Sequence, residues 1–265
     1  MRRFGVLVIS HGSREEHWVR LVDEAVAGMN VPGRLPVFSS FLEIVDGRLI
    51  QDGIRHLESL GVTDIIVVPL FVSSGSTHID EIRYALGVTS APECETELKP
   101  FVRTAAIHWC PPLDDDREVA EILADRVREL SVDPCREVLL LIGHGSGEAP
   151  FARRWLQGLR GLAEQLKALC GFQEADTALL LPEQAAERMT WWRERKPTHD
   201  IIVAPVFLSQ GYFTRTVIPG RLKGFSYRYN GKTLLPHPLV SRWMEKRVRE
   251  SLMKMGWDNY ATGDR

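Results

Sequence analysis

The 265-residue chain has few cysteines, little net charge and no long hydrophobic run. Its four cysteines, Cys94, Cys110, Cys135 and Cys170, include no C-x-x-C pair, which argues against a zinc ribbon, a thioredoxin-type site or a clustered iron–sulfur motif. A formal net charge of −2 leaves no basic footprint for nucleic acid. No segment approaches the roughly 20 apolar residues that a membrane span needs. We therefore expect a cytoplasmic protein with reduced thiols that binds neither nucleic acid nor membrane.

The two halves of the chain are degenerate copies of one another. Residues 64–75 read DIIVVPLFVSSG and residues 200–211 read DIIVAPVFLSQG, and the two segments agree at eight of twelve positions. Residues 6–13 and 139–146 each run from an apolar stretch into His-Gly-Ser. These two motif pairs are offset by 136 and 133 residues. Random matches do not keep order and spacing in this way, so the sequence indicates an internal duplication.

Each half alternates apolar strands with amphipathic helices. Residues 14–29 and 116–130 place apolar side chains at helical steps of three and four. Continuous apolar strands between helices are typical of a parallel sheet that is covered on both faces. The predicted strands are 4–10, 35–42, 64–72, 104–110, 137–143, 175–181, 200–208 and 230–235. The sequence thus predicts an α/β protein of two four-stranded, doubly wound domains, residues 1–132 and 133–265.

Three residues of types that commonly bind metal ions follow three predicted strands of the first half. His11 follows the first strand, Glu43 the second and His78 the third. Taken singly, each has an ordinary structural explanation as a hydrogen-bonded histidine or a solvated acid. Ligands of open parallel sheets bind outside the carboxyl ends of the strands, however, so the three should meet at one edge. Together they suit Fe²⁺, Co²⁺, Ni²⁺ or Zn²⁺ and leave coordination positions open.

The second half keeps fewer of these donors. His144 repeats the first histidine, whereas Thr214 stands where the second should be. Glu183 is a candidate match for the glutamate if a gap of four residues is allowed. A hydroxyl is a poor ligand for these ions, so we expect the second copy not to hold metal tightly. Tyr212 and Phe213 precede the threonine, either as walls for a flat ligand or as core residues.

The segments 11–14 (HGSR), 41–43 (FLE) and 68–78 (VPLFVSSGSTH) resemble the class II chelatases, most closely the sirohydrochlorin ferro- and cobaltochelatase family in its long, internally duplicated form. The resemblance covers nearly the whole chain. It implies two flavodoxin-like domains, with His11 and His78 as the catalytic, metal-binding and proton-accepting pair. The glutamate that ends the second segment would complete the site. It also implies that Fe²⁺ or Co²⁺, with Ni²⁺ as a further candidate, is a substrate and that no cofactor is permanently bound.

A tetrapyrrole substrate of this family carries many carboxylates, which need donors. The turns after the strands offer backbone N–H groups at helix starts, which bind anions. The predicted substrate-binding residues are Gly12, Ser13, Arg14, Gly75, Ser76 and Thr77. Arg14 is either a carboxylate clamp or an ordinary surface arginine, and the basic, aromatic stretch 215–232 is either a cover for an acidic ligand or a solvated face. Because a duplicated chain has less need to dimerise, we expect a monomer, with a dimer as the alternative.

Two other functions use the same residues. A phosphoryl transferase would use His11 as its nucleophile, but that chemistry calls for several arginines around the phosphate, and only Arg14 is near. A carrier of metal or tetrapyrrole would use the same ligands without turnover, and the sequence does not separate it from an enzyme.

Overall fold

The first half forms a parallel sheet whose central strands are apolar throughout. The structure is a computed structural model that describes residues 2–257. The strands are β1 (Phe4–Ser10), β2 (Val37–Phe41), β3 (Asp64–Pro69) and β4 (Ala106–Trp109), in the order β2-β1-β3-β4. The helices between them are α1 (Glu16–Ala27), α2 (Ile50–Ser59) and α3 (Thr77–Ala85). Every residue of β1 and β3 is buried, as expected for strands covered on both faces. All four strands predicted for this half are confirmed.

The second half repeats this arrangement with a smaller sheet. Its parallel strands are β5 (Glu137–Gly145), β6 (Glu174–Leu181) and β7 (Asp200–Pro205), in the order β6-β5-β7. The remaining helices are α4 (Arg117–Arg128), α5 (Ala149–Cys170), α6 (Ala185–Arg195), α7 (Ile218–Arg221) and α8 (Pro238–Lys254), and a π-helical turn (Phe213–Val217) precedes α7. Both sheets place their first strand between the second and the third, which is the flavodoxin-like order. The predicted doubly wound α/β class is confirmed.

The strand predicted at 230–235 is wrong, because the described part of the second sheet has three strands. Its place beside β7 is taken by an irregular segment, in which Arg228 forms a single parallel bridge to Ile202. A turn follows at once: the Asn230 side chain accepts a hydrogen bond from the N–H two residues on, and Gly231 has a φ of 66°. An Asn-Gly turn of this kind interrupts the ladder before it can lengthen.

The chain forms two compact units that do not coincide with the two sequence repeats. Within the described residues, the first unit consists of the chain up to Phe71, Thr77–Pro112, and the chain from Val240 onward. The second consists of Val72–Ser76 and Leu113–Leu239. Helix α8 therefore belongs to the first unit and α4 to the second. The boundary between residues 132 and 133 remains a prediction about the repeats.

Each unit has its own hydrophobic core. In the first, Leu7, Ile9 and Val67 of the central strands share a buried cluster with Ile54 of α2. In the second, the strands β5 and β7 share a buried cluster with Met189 of α6. Such close-packed strands hold the turns at their ends rigidly, which is what a site built on those turns requires. Among residues 2–257, no helix combines the length and the apolarity that a membrane crossing requires.

Candidate functional site

The three predicted metal-binding side chains meet at the carboxyl edge of the first sheet. Nε2 of His11 lies 3.7 Å from Oε1 of Glu43, and the rings of His11 and His78 are edge to face with centroids 4.8 Å apart. His11 follows β1, whereas His78 is the second residue of α3, beyond β3. These two strands flank the point at which the strand order reverses, where open α/β sheets bind ligands. All three side chains are partly exposed and accessible to a ligand.

The spacing of these donors suits an open, weak metal site. Two atoms that each bind an ion at ~2.1 Å lie at most ~4.2 Å apart, so the separation between His11 and Glu43 lets both reach one ion. The ring of His78 lies beside that of His11, but no group of three or more His, Cys, Asp or Glu side chains in residues 2–257 is placed to hold a metal ion together. An ion bound by two protein donors would keep water in its remaining coordination positions.

The backbone of Glu43 is held by its neighbours on both sides. Its N–H donates to the carbonyl oxygen of His11 at 3.1 Å, and its own carbonyl lies against Gly12. Gly12 has a φ of 104°, and a Cβ there would overlap that carbonyl oxygen, so only glycine fits. The same carbonyl accepts from the N–H of Val45 at 2.9 Å, which closes a three-residue turn centred on Ile44.

That turn puts Ile44 in an unfavourable backbone conformation. Its φ is 74°, as in the rare classic γ-turn. A β-branched residue with positive φ is an outlier, and such conformations cost roughly 1–3 kcal/mol each. Strained residues of this kind cluster at functional sites, where the surrounding structure maintains them.

A fourth polar residue, Glu81, joins the site, and the sequence interpretation missed it. Its Oε1 lies 3.8 Å from Nδ1 of His78, one helical turn back on α3. Burial is the main cause that raises the pKa of Glu81 above its ordinary value, and the carboxylates of Asp80 and Glu43 raise it further. The signal available in the sequence was its position three residues after His78, a predicted ligand at a predicted helix start, because residues i and i+3 share a face of a helix.

The predicted substrate-binding residues after β1 have two different roles: two of them shape the turn, and one has a side chain without a partner among the described residues. The hydroxyl of Ser13 accepts a hydrogen bond from the N–H of Glu15 at 3.0 Å and so organises the start of α1. Arg14 is exposed and has no hydrogen bond or ion pair within the described chain. The guanidinium of Arg14 is therefore available for a carboxylate, whereas Gly12 and Ser13 shape the turn.

The other predicted substrate-binding residues lie in the loop that leads into α3. The N–H of Gly75 donates to Oγ of Ser73 at 3.0 Å, and the N–H of Ser76 donates to the Ser73 carbonyl at 3.1 Å. A carboxylate of Asp114 accepts from both the N–H and the hydroxyl of Ser74, and burial is the main cause that raises the pKa of Asp114. These two glycine and serine amides are thus engaged inside the loop, and Thr77 begins the helix.

The corresponding edge of the second sheet keeps one of the three candidate donors, His144. Gly145 has a φ of 82°, and a Cβ there would overlap the carbonyl oxygen of Leu181, just as Gly12 meets Glu43. Leu181 therefore occupies the place of the glutamate. The ring next to His144 is that of Phe213, edge to face with centroids 4.6 Å apart. An apolar leucine and a phenylalanine replace a carboxylate and an imidazole.

Glu183 and Thr214, which the sequence suggested as counterparts of Glu43 and His78, make hydrogen bonds and an ion pair within their own unit. Oε1 of Glu183 accepts from the N–H of Ala185 at 2.8 Å, at the start of α6, and its other oxygen pairs with Arg221. Thr214 is buried, and its hydroxyl accepts from the N–H of Gly211 at 3.0 Å. The expectation that this half does not hold metal tightly stays a prediction.

The basic stretch 215–232 is mainly occupied by ion pairs. Arg228 binds Glu137 at 2.7 Å and also pairs with Asp200. Hydrogen bonds from Ser131, from backbone N–H groups and from Arg228 outweigh burial and lower the pKa of Glu137. These contacts favour the solvated, structural interpretation. Tyr212, by contrast, is 67% exposed and so is not a core residue.

Comparison with known proteins finds the same family twice along the chain. A model of the CbiX family matches residues 5–130 and again residues 138–251. The chain is 29% identical over 132 residues to the sirohydrochlorin cobaltochelatase of Methanothermobacter thermautotrophicus, a match that covers 48% of this chain and 92% of that protein. It is 26% identical over 180 residues to the sirohydrochlorin ferrochelatase of Priestia megaterium, covering 66% of this chain and 61% of that protein.

Two solved structures share the fold over nearly the full length. SirB from Bacillus subtilis with Fe³⁺ superimposes with a TM-score of 0.71 at 20% identity, covering 97% of this chain and 98% of that one. The structure of CbiX, described as the terminal enzyme for biosynthesis of siroheme in denitrifying bacteria, gives 0.65 at 16% identity and covers 94% and 99%. At these identities the likeness concerns the fold.

Proposed function

Because the chain belongs to the CbiX family, we propose that it is a sirohydrochlorin chelatase, which inserts a divalent metal ion into sirohydrochlorin. One relative named above is a cobaltochelatase and the other a ferrochelatase. Insertion of cobalt leads to cobalamin, and insertion of iron leads to siroheme. The observation that carries the proposal is the meeting of His11, Glu43 and His78 at the strand-order reversal of the first sheet.

The site residues divide the chemical work of insertion. The metal must lose its water, and two inner nitrogens of the macrocycle must each lose a proton. A neutral imidazole ligates the ion through its lone pair and then accepts a proton near neutral pH, its ordinary pKa being about 6.5. We assign both metal ligation and proton acceptance to the imidazoles of His11 and His78. The Glu43 carboxylate offsets the charge of the ion and accepts the second proton.

Open coordination is a requirement of this reaction. A closed site of four protein ligands would retain the ion, whereas two or three donors leave positions for water and for the pyrrole nitrogens. The distance between His11 and Glu43 fits such a shared, incomplete shell. The metal is accordingly a substrate, Fe²⁺ or Co²⁺ with Ni²⁺ as a further candidate, and no resident cofactor is needed.

Substrate recognition rests on the turn after β1. The guanidinium of Arg14 is the group we assign to a peripheral carboxylate, because a charge-assisted pair with a carboxylate is stronger than a neutral hydrogen bond. Gly12 and Ser13 support it by shaping the turn, and we keep Gly75, Ser76 and Thr77, which precede His78 in the chain, as candidate substrate-binding residues. We further infer that the protein acts as a cytoplasmic monomer with a small-molecule tetrapyrrole as its partner.

The decisive experiment follows the absorption spectrum of sirohydrochlorin with Co²⁺, and anaerobically with Fe²⁺, at a large excess of substrate over protein. A reaction without protein gives the background rate. Many turnovers per chain support a chelatase. Conversion that stops at one equivalent indicates a carrier, and a rate equal to the background contradicts the proposal. Running Co²⁺, Fe²⁺ and Ni²⁺ in parallel ranks the metals.

A further inference from the structure

Ile44 combines two unfavourable features directly beside a ligand of the metal site. Its backbone has a φ of 74°, and its side chain is 44% exposed although it is fully apolar. A glycine or an asparagine would adopt this backbone conformation readily, and a polar side chain would suit the solvent. Neither the turn nor the fold therefore accounts for an isoleucine here.

The turn determines where this side chain lies. The N–H of Val45 closes it onto the carbonyl of Glu43, and the N–H of Glu43 is in turn bonded to His11. Ile44 is thus held at a fixed place one residue from a metal ligand. A side chain on such a short, doubly anchored turn has little freedom to withdraw, so its exposure is a property of the folded chain.

Ile44 also lines a groove in the first unit. The groove is open to solvent and has a volume of about 570 Å³. Its other lining residues are the apolar Val19 and Val45, the polar Ser13, the basic Arg14 and Arg20, and the acidic Glu16, Asp23 and Asp46. This volume lies within the range of small-molecule sites. Apolar side chains and Arg14, which has no ion pair in residues 2–257, thus face the same space as three acids, of which Asp23 is paired with Arg48.

We propose that Ile44 is a substrate-contact residue that packs against the edge of the tetrapyrrole and so sets its position over the metal-binding side chains. The inference rests on the proposed function. Sirohydrochlorin is a conjugated disc with an apolar face and carboxylates at its periphery. The groove offers the matching pair, an apolar contact at Ile44 and a cation at Arg14. The Ile44 side chain is exposed in the free protein because its partner is the substrate.

The chain also offers a contrast that supports this assignment. Among the eight large hydrophobic side chains exposed in the described residues, Ile44 is the one with a positive φ. Leu60 is similarly exposed, at 53%, but it follows α2 with an ordinary φ of −82° and lines no part of the groove. Leu60 therefore provides a matched control.

The test compares Ile44→Asn, Ile44→Leu and Leu60→Asn in the full chain, with Co²⁺ and sirohydrochlorin. Asparagine accepts the positive φ, so the turn and Glu43 stay in place while the apolar contact is lost. We expect the KM for sirohydrochlorin to rise about tenfold in Ile44→Asn, with kcat and the KM for Co²⁺ close to wild type, the pattern of lost substrate binding. Ile44→Leu restores most of the affinity, and Leu60→Asn leaves all three constants unchanged.

Thermal melting of Ile44→Asn separates the contact from a loss of folding. We expect the Tm to equal or exceed that of the wild type, because the strain of a β-branched residue is removed. An unchanged KM for sirohydrochlorin in Ile44→Asn overturns the inference while leaving the chelatase in place. A similar KM increase in Leu60→Asn, or no recovery in Ile44→Leu, also overturns it. Absence of turnover in the wild type would instead remove the proposed function itself.

Discussion

At the carboxyl edge of the first sheet His11 lies beside Glu43 and His78. At the same place in the second sheet His144 lies beside Phe213, and Gly145 lies against the carbonyl of Leu181. The backbone around these residues is alike in the two units. Each has a glycine with positive φ against a backbone carbonyl at the end of the second strand of its sheet, that of Glu43 two residues past β2 and that of Leu181 as the last residue of β6. What differs is the chemistry of the side chains that this common backbone presents.

The comparison teaches that the turn is a structural unit in its own right. Ser13 and Ser146 each accept a hydrogen bond from the N–H two residues on, at 3.0 and 3.2 Å, so the polar capping survives in both copies. The carboxylate and the second imidazole beside the first histidine are present in the first copy alone. A close-packed turn admits few backbone alternatives, whereas exposed side chains at its rim can change without unfolding the sheet.

The largest expected difference between the two edges is in catalysis. His11→Ala and His78→Ala should each lower turnover of sirohydrochlorin by roughly 10²–10⁴-fold, because each removes a metal ligand and a proton acceptor. His144→Ala should retain a rate close to wild type. Steady-state assays with Co²⁺ measure this, and circular dichroism checks the fold of each variant. Equal losses in all three variants, or wild-type turnover in His11→Ala, would contradict the assignment of a single working edge.

The second expected difference separates stability from activity. Gly12→Ala and Gly145→Ala should each lower the free energy of unfolding by roughly 1–3 kcal/mol, because alanine is strained at positive φ and its Cβ meets a carbonyl oxygen. Urea titration measures this loss. Of the two, only Gly12→Ala should also lose turnover under conditions where the protein is folded, because the carbonyl that its Cβ displaces belongs to Glu43.

Gly147→Ala is the control for the glycine variants. Its φ is not in the positive region, and a Cβ there would have open space around it, so its stability should be near that of the wild type. Turnover in a folded Gly12→Ala that matched Gly145→Ala would show that the placement of Glu43 is not critical.

The smallest expected effect is a gain of function in the second unit. Leu181→Glu combined with Phe213→His puts a carboxylate and an imidazole near His144, in the places that Glu43 and His78 occupy in the first unit. Isothermal titration with Co²⁺ should then show one additional site, at least about tenfold weaker than the first because its surroundings are not arranged to orient these ligands. Leu181→Gln with Phe213→His is the matched control, and a second site in neither variant would mean that more than these two side chains was lost.

Local patterns were sufficient to predict most of the fold and to bring three candidate donors to one edge of the first sheet. The apolar runs predicted the strands, and the placement of His11, Glu43 and His78 after three of them predicted one edge, because parallel strands end on the same side. The same reasoning was wrong about a fourth strand in the second half, where an Asn-Gly turn at 230–231 wins over β-pairing. It also missed Glu81, whose nearness to His78 depends on where α3 begins.

The second half shows why spacing alone is a limited guide. Glu183 was the only acid near the required position, so it was the natural candidate for the counterpart of Glu43. The structure instead places Leu181 against Gly145 and uses Glu183 at the start of α6. Leu181 and Glu183 are two residues apart in the chain. The length of β6 in the folded sheet decides which of them lies against Gly145.

The sequence by itself determined the duplication, the parallel α/β class and the residue types available for metal binding, because these follow from periodicity and order along the chain. Tertiary structure alone decided that α8 belongs to the first unit and α4 to the second. It also decided which carbonyl lies against Gly12 and Gly145, and that Ile44 is exposed beside Glu43. These outcomes depend on contacts between residues far apart in the chain or on a single backbone angle, and neither leaves a periodic signal in the sequence.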